Sequence, residues 1–224
     1  STQDIPQQEV AIEKYRESSR FLEAFRVLHT NIQLLSSDET INSLVISSAM
    51  PGDGKSTVSF NLAQTACAMG RRVLLVAADM RCPQIHSLSN LNNLRGLSNL
   101  LAGNIPVETV IQQLPSIGEL SIITAGSIPP DPTKLLSSQK MRKIMEDLHL
   151  KFDLVIFDTP FLVGLADANL IAPLTNGVVF VARIHQTHRL LMMQAIDHLK
   201  MARTNILGMV INGDKRASSY SYYY

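Results

Sequence analysis

Cysteine is scarce in these 224 residues: Cys67 and Cys82 are the only two, and they stand at neither metal-ligand nor Cys-x-x-Cys spacing. A disulfide framework is implausible for so long and cysteine-poor a chain, so a reducing, cytoplasmic setting is expected. Charge imbalance is missing too. Twenty Lys and Arg against nineteen Asp and Glu leave a formal net charge of +1, which gives no global footprint for nucleic acid or an anionic membrane surface. No apolar run approaches the roughly 18 residues of a transmembrane helix, and no signal peptide with a basic start and an apolar centre is visible. An initiator methionine is also lacking, since the chain opens on Ser1; the expectation is a soluble piece of a longer protein whose remainder could carry membrane segments.

What is present suits one sizeable core, since 46% of the residues are hydrophobic. Residues 1–18 are polar, rich in Gln and Glu and without a clear period, and read as an extended N-terminal arm. Phe21, Leu22, Phe25, Leu28, Ile32 and Leu35 then recur at helical spacing, predicting an amphipathic helix that exposes Glu23, Arg26 and His29 at intervals of three. Apolar runs follow at SLVISS, RVLLVA, LSIIT, DLVIFD, GVVFVA and ILGMVIN, separated by helical patterns at Thr57–Met69, Ser137–Leu150 and Thr187–Ala202. Strands that are apolar throughout, rather than alternating, are buried on both faces. The expected fold is therefore α/β, a doubly wound and mainly parallel sheet covered by helices. The domain spans 19–214, and 215–224 form a flexible tail ending in Tyr220, Tyr222, Tyr223 and Tyr224.

One segment, AMPGDGKST from Ala49 to Thr57, lies between a predicted strand and a predicted helix, the context a phosphate-binding loop needs. Gly52 and Gly54 let the backbone curl so that its N–H groups, including those of Asp53 and Thr57, face an anion at the positive end of the helix. Lys55 can reach the β- and γ-phosphates, and the Ser56 hydroxyl can ligate Mg²⁺. Ala49 takes the place of the usual first glycine. A second strand ends in LVIFDTP and delivers Asp158 to the carboxyl edge of the sheet, where ligands of open parallel sheets bind. A third, RVLLVAADMR, is expected beside the first strand, bringing Asp79 to the phosphate loop as a second metal-directed carboxylate with Arg81 nearby. Asp167 could stand near the nucleotide or cap a helix, of which the cap is favoured, and Arg183, which could approach the phosphates or only close a strand, stays outside the core site.

Together these motifs resemble the bacterial tyrosine kinases (BY-kinases) that control capsular and exopolysaccharide assembly. The likeness runs from about Arg20 to the end, with AMPGDGKST similar to their Walker A, LLVAADMR to their Walker A′ and LVIFDTP to their Walker B motif. AGSIPPDPTKLL looks like their Pro-Pro segment, and the tyrosine cluster like their tail. The resemblance implies a P-loop NTPase fold of the ParA/MinD-like branch, ATP and Mg²⁺ as ligands, and Lys55, Asp79 and Asp158 as catalytic residues. It implies that Ser56, Asp79 and Asp158 direct the metal, that Asn212 contacts the purine, and that the tail tyrosines of a neighbouring subunit accept phosphate within a ring-shaped homo-oligomer. It further implies protein tyrosine substrates and a membrane activator segment, fused or separate, so that this cytoplasmic domain works attached or recruited to the inner membrane. Glu23 and Arg26 match the family's Glu-x-x-Arg-x-x-Arg oligomerisation motif, with His29 in place of the last arginine. A histidine lacks the permanent charge and bidentate fork of that residue.

In the family's Asp-x-Asp-x-Arg pattern, aligned on Asp79 and Arg81, the first aspartate falls on Ala77. That aspartate lies near the attacking hydroxyl in the family, so nucleotide binding should survive here while phosphoryl transfer suffers. An engineered Asp→Ala change and a natural weak kinase or nucleotide-gated scaffold both fit. The rivals to an impaired autokinase are a ParA/MinD-type ATPase, disfavoured by Met50 where that group has an early lysine, and a silent ATP-binding assembly module.

Overall fold

A computed structural model describes residues 7–35, 40–114 and 120–213, with side chains from Ser19 onward. Tyr220, Tyr222, Tyr223 and Tyr224 lie outside the described residues. Strands β1 (Ser43–Ser48), β2 (Val73–Ala77), β3 (Ile111–Leu114), β4 (Leu120–Ile123), β5 (Leu154–Asp158), β6 (Val178–Arg183) and β7 (Ile206–Asn212) form one sheet in the order β3-β4-β2-β5-β1-β6-β7. Only the β3–β4 pair is antiparallel. Helix α2 (Lys55–Ala68) carries the chain from β1 towards β2, whereas α7 (Asp167–Ile171) carries it from β5 towards β6 on the other side of β1. The two connections diverge at the β1–β5 boundary, and the carboxyl ends of those strands define the crevice where such sheets bind ligands.

β1, β2, β4, β5 and β6 read as unbroken apolar runs because each alternates between two dry layers. The edge strands β3 and β7 are only partly buried; β7, expected to be covered on both faces, leaves Ile206, Met209 and Ile211 exposed because, among the described residues, no strand or helix layer closes over the sheet edge there. Val45, Leu74, Val76, Val155, Phe157 and Phe180 face a layer completed by α4 (Leu97–Ala102), α6 (Gln139–Lys151) and α8 (Arg189–Met201). Leu44, Ile46, Leu75, Ile156 and Val181 face the layer of α2 and of α1 (Gln7–Leu34). The remaining short helices, α3 (Ile85–Ser89) and α5 (Pro132–Leu136), follow loops at the carboxyl edge. The starts of α5 and α6 obey local chemistry: Asp131 caps α5 at the Lys134 amide (3.1 Å) ahead of Pro132, and Ser138 caps α6 at the Met141 amide (3.1 Å).

Three further expectations need correcting. Residues 7–18 are helical and continue α1, because their Gln, Glu, Ala and Lys content favours a helix even without an apolar period and no Gly or Pro interrupts it. His29 is 5% exposed rather than displayed with Glu23 and Arg26, since steps of three rotate the helix backwards by about 60° each and carry position 29 round to the sheet-facing side. Burial first, and the nearby Arg71 charge second, hold the His29 imidazole below its usual pKa. Finally β2 does not lie beside β1: β5 separates them. The fold predicts that Phe157→Ala, which empties a fully buried site on the central strand, lowers unfolding free energy by about 3–5 kcal/mol in urea titrations.

Candidate active site

Residues 49–57 wrap the N-terminus of α2. Gly52 and Gly54 adopt φ of +87° and +97°, the left-handed region that glycine enters without strain. A side chain at Gly54 would also collide with Asn212, whose Nδ2 would lie 2.1 Å from the added Cβ. The loop is held from outside. Asn212 Nδ2 donates to the Asp53 carbonyl (2.9 Å), the Thr187 hydroxyl donates to Asp53 Oδ1 (2.6 Å), and Arg183 Nη1 donates to the Gly52 carbonyl (3.1 Å). Asp53 itself is buried and its Oδ2 accepts from the Met50 amide at 3.1 Å. Arg183, left outside the site by the sequence, therefore belongs to the phosphate loop's support. Thr57 is exposed on the first turn of α2.

Lys55 Nζ sits 3.1 Å from Asp79 Oδ2, with both side chains largely buried. The other oxygen, Asp79 Oδ1, accepts from the amides of Arg81 (3.2 Å) and Cys82 (2.9 Å). Although β2 is one strand further out than expected, its end folds over β5: the Ala78 and Asp79 amides both donate to the Asp158 carbonyl, at 2.8 and 2.9 Å. Arg81 does not pair with the Asp79 carboxylate. Its guanidinium instead grips Asp167, which is fully buried and makes no side-chain cap for α7. The cap reading of Asp167 is thus corrected, because a capping carboxylate would sit on the Ala166 position and reach amides rather than an arginine.

Asp158 has no exposure; its Oδ1 accepts from the Ser59 hydroxyl at 3.0 Å and its Oδ2 has no hydrogen-bond partner among the described residues. Burial pushes its carboxyl up to about 6, partly offset by the Lys55 charge and the Ser56 hydroxyl; the Asp79 charge adds to the rise, and the Ser59 hydrogen bond opposes it. An orphaned carboxylate oxygen beside the buried Ser56 hydroxyl, with Asp79 across the loop, is an all-oxygen donor set that fits a hard cation such as Mg²⁺. Ser59 carried no motif signal: it lies one turn after Ser56, and only the fold turns that face towards Asp158. Glu23 and Arg26 lie on α1, paired with each other at 3.2 Å and 61% exposed.

A phosphate loop at the end of β1, a strand-end carboxylate on β5 and a sheet of this order define a ParA-like P-loop NTPase. A family profile described as ParA: NUBPL iron-transfer P-loop NTPase matches residues 39–219. MinD from Pyrococcus horikoshii, solved in complex with Mg-ADP, shares the fold at 23% identity and TM-score 0.65, over 80% of this chain and 76% of that one. The chain belongs, within that class, to the bacterial tyrosine-protein kinases. It is 36% identical over 203 residues to tyrosine-protein kinase YwqD of Bacillus subtilis, covering 90% of this chain and 85% of YwqD. It superposes on the kinase domain of the Escherichia coli tyrosine kinase ETK with TM-score 0.83 at 35% identity, covering 91% of this chain and 80% of that domain. Against full-length etk of Escherichia coli the chain spans only 28% of the length.

The buried carboxylate gives a pH test with a defined sign. Because the folded Asp158 holds its proton up to about pH 6 and the unfolded one only to about 3.8, stability falls as pH rises between those values. Above pH 6 the ionised form costs about 3 kcal/mol. Asp158→Asn is expected to be more stable than the parent at pH 7.5 without nucleotide or divalent cation, and to lose that advantage near pH 4, in urea unfolding series.

Proposed function

We propose that this chain is an ATP- and Mg²⁺-dependent protein tyrosine autokinase that phosphorylates the tail tyrosines of a neighbouring subunit. The observation that carries the proposal is the meeting of Lys55, Asp79 and Asp158 at the carboxyl edge of the sheet, from the start of α2, the turn after β2 and the end of β5. The residues from Gly52 to Thr57 would cradle the phosphates, Lys55 would exchange Asp79 for the β- and γ-phosphates, and Asn212 would meet the purine. Ser56, Asp79 and Asp158 would hold the cation, which supplies Lewis-acid neutralisation of the phosphate oxygens when bound. In the transfer, a tyrosine oxygen bonds the γ-phosphorus as the bond to the β–γ bridging oxygen breaks; ADP leaves and the phenol proton is released.

Ala77 weakens the last of these steps. It is 1% exposed at the end of β2, level in the sheet with Asp158, and offers nothing to accept or orient a phenol proton. A positioned base contributes about 10²- to 10⁴-fold, so this form binds nucleotide and transfers phosphate slowly. A silent, nucleotide-gated assembly module is the second reading, and the same alanine favours it.

Assembly as a homo-oligomeric ring is supported by α1, which shows Phe21, Leu22 and Val27 about half exposed around the Glu23–Arg26 pair. The setting we infer is the cytoplasmic side of the inner membrane, working with a membrane activator in exopolysaccharide or capsule synthesis and export. Nucleic acid has no part in it.

With Mg-ATP, Ala77→Asp should raise tail phosphotyrosine by about 10²-fold or more, read by intact mass and peptide mapping. No phosphotyrosine in that variant, with the membrane activator present, would sink the kinase reading. Truncation after Ala217 should leave ATP affinity unchanged and remove the acceptor signal; phosphate found on serine or on core residues would refute the tail as acceptor.

A further inference from the structure

Asp167 poses a problem that the nucleotide site as described does not solve. It is a carboxylate with no exposure, 86 residues away in sequence from the arginine that neutralises it. Burying an ion pair is costly, and its desolvation is recovered only with good geometry, so such a pair is weak support for stability alone. The geometry here is a fork. Arg81 Nε lies 3.1 and 3.2 Å from the two Asp167 oxygens, and Arg81 Nη2 lies 3.1 Å from Oδ2.

What the pair holds is the backbone of Arg81. That residue's own amide, with that of Cys82, aims Asp79 Oδ1, which leaves Asp79 Oδ2 turned towards Lys55. The anchor sits at the far end of the segment that begins at Asp158. This stretch is tied to β1 by the Thr159 amide on the Ile46 carbonyl (3.1 Å) and the Leu162 amide on the Ser48 carbonyl (2.8 Å). The carbonyl of Asp158 in turn receives the Ala78 and Asp79 amides. The turn bearing Asp79 is thus fixed at both ends by one segment, through the backbone at 158 and through the side chain at 167.

We propose that Arg81 and Asp167 are positioning residues: their ion pair fixes the amides that orient Asp79, and so sets how tightly the site takes Mg²⁺ with its nucleotide. This rests on the reading of Asp79 as a metal-directing group. Neither residue is among those that would hold the nucleotide or the metal. Loss of the pair leaves the phosphate loop intact and lets the Asp79 turn wander, so the defect falls on the metal and not on the phosphates. Partners one layer behind metal ligands are worth about 10- to 100-fold in metal affinity.

The test is a fluorescent ATP-analogue titration of Asp167→Asn, Arg81→Gln and Arg81→Lys, run in EDTA and across a Mg²⁺ series, with thermal unfolding of each variant. Expected are EDTA affinities within about 2-fold of the parent and a Mg²⁺ midpoint raised about 10-fold for Asp167→Asn and Arg81→Gln. Arg81→Lys, which keeps one charge but not the fork, falls between. The double variant Arg81→Gln/Asp167→Asn is no worse than either single one, as a shared contact requires. If Asp167→Asn does not fold, the partly exposed Arg81→Gln carries the comparison. Affinity lost equally with and without Mg²⁺, or a Mg²⁺ midpoint equal to that of the parent, overturns the proposal. A parent whose nucleotide binding ignores Mg²⁺ overturns the metal reading beneath it, and the proposal with it.

Discussion

Asp158 keeps a carboxylate out of water at the end of the central strand, and its neighbours answer to that charge. Ionised, it needs the ammonium of Lys55 and the hydroxyls of Ser56 and Ser59, three groups from the first five residues of α2. Those groups are in place only because Gly52 and Gly54 take left-handed backbone and swing the helix start over the crevice. The same lysine is shared with Asp79, so two carboxylates compete for one cation, and Asp158 is left with an oxygen that accepts no hydrogen bond among the described residues. A site with surplus negative charge and an unpaired oxygen is poised for a hard cation. Charged phosphates can then replace carboxylate as the partner of Lys55.

Around that centre the fold works as a frame that admits little slack. β2 and β5 run in register and their ends are clasped by two amides on one carbonyl; the phosphate loop is pinned by Asn212 and Arg183 at the ends of β7 and β6, and by Thr187 just beyond β6. Preorganisation of this kind spares a ligand the entropy of ordering its own cradle. Ala77 occupies a strand end whose backbone is in register with Asp158 and whose surroundings are dry. Alanine suits that buried strand end and leaves the frame undisturbed, and its methyl group can neither accept nor donate a proton.

Six of the strands, the dry layers over the central ones, the phosphate loop and Asp158 were legible because each is written in contiguous residues: apolar runs of strand length, and glycines next to a lysine and a serine at a strand-to-helix junction. β3 was not read, because Ile111–Leu114 is short and half polar and makes no apolar run. Residues 7–18 were misread as extended because a polar helix without an apolar stripe has propensity but no period. His29 was misplaced because a three-residue step drifts around the helix, and it takes the packing of α1 on α2 to show which face is inward.

Sequence alone determined which chemical groups this protein owns, and near which strand ends they emerge, because those depend on neighbours along the chain. It also determined that one expected carboxylate is missing at position 77. Tertiary structure decided the partners. That β5 and not β2 lies beside β1, that Arg81 turns from Asp79 to Asp167, and that Arg183 and Thr187 brace a loop more than a hundred residues away all depend on strand order and loop closure. Such pairings follow from how the buried faces close upon one another across the sheet, and no local spacing encodes them.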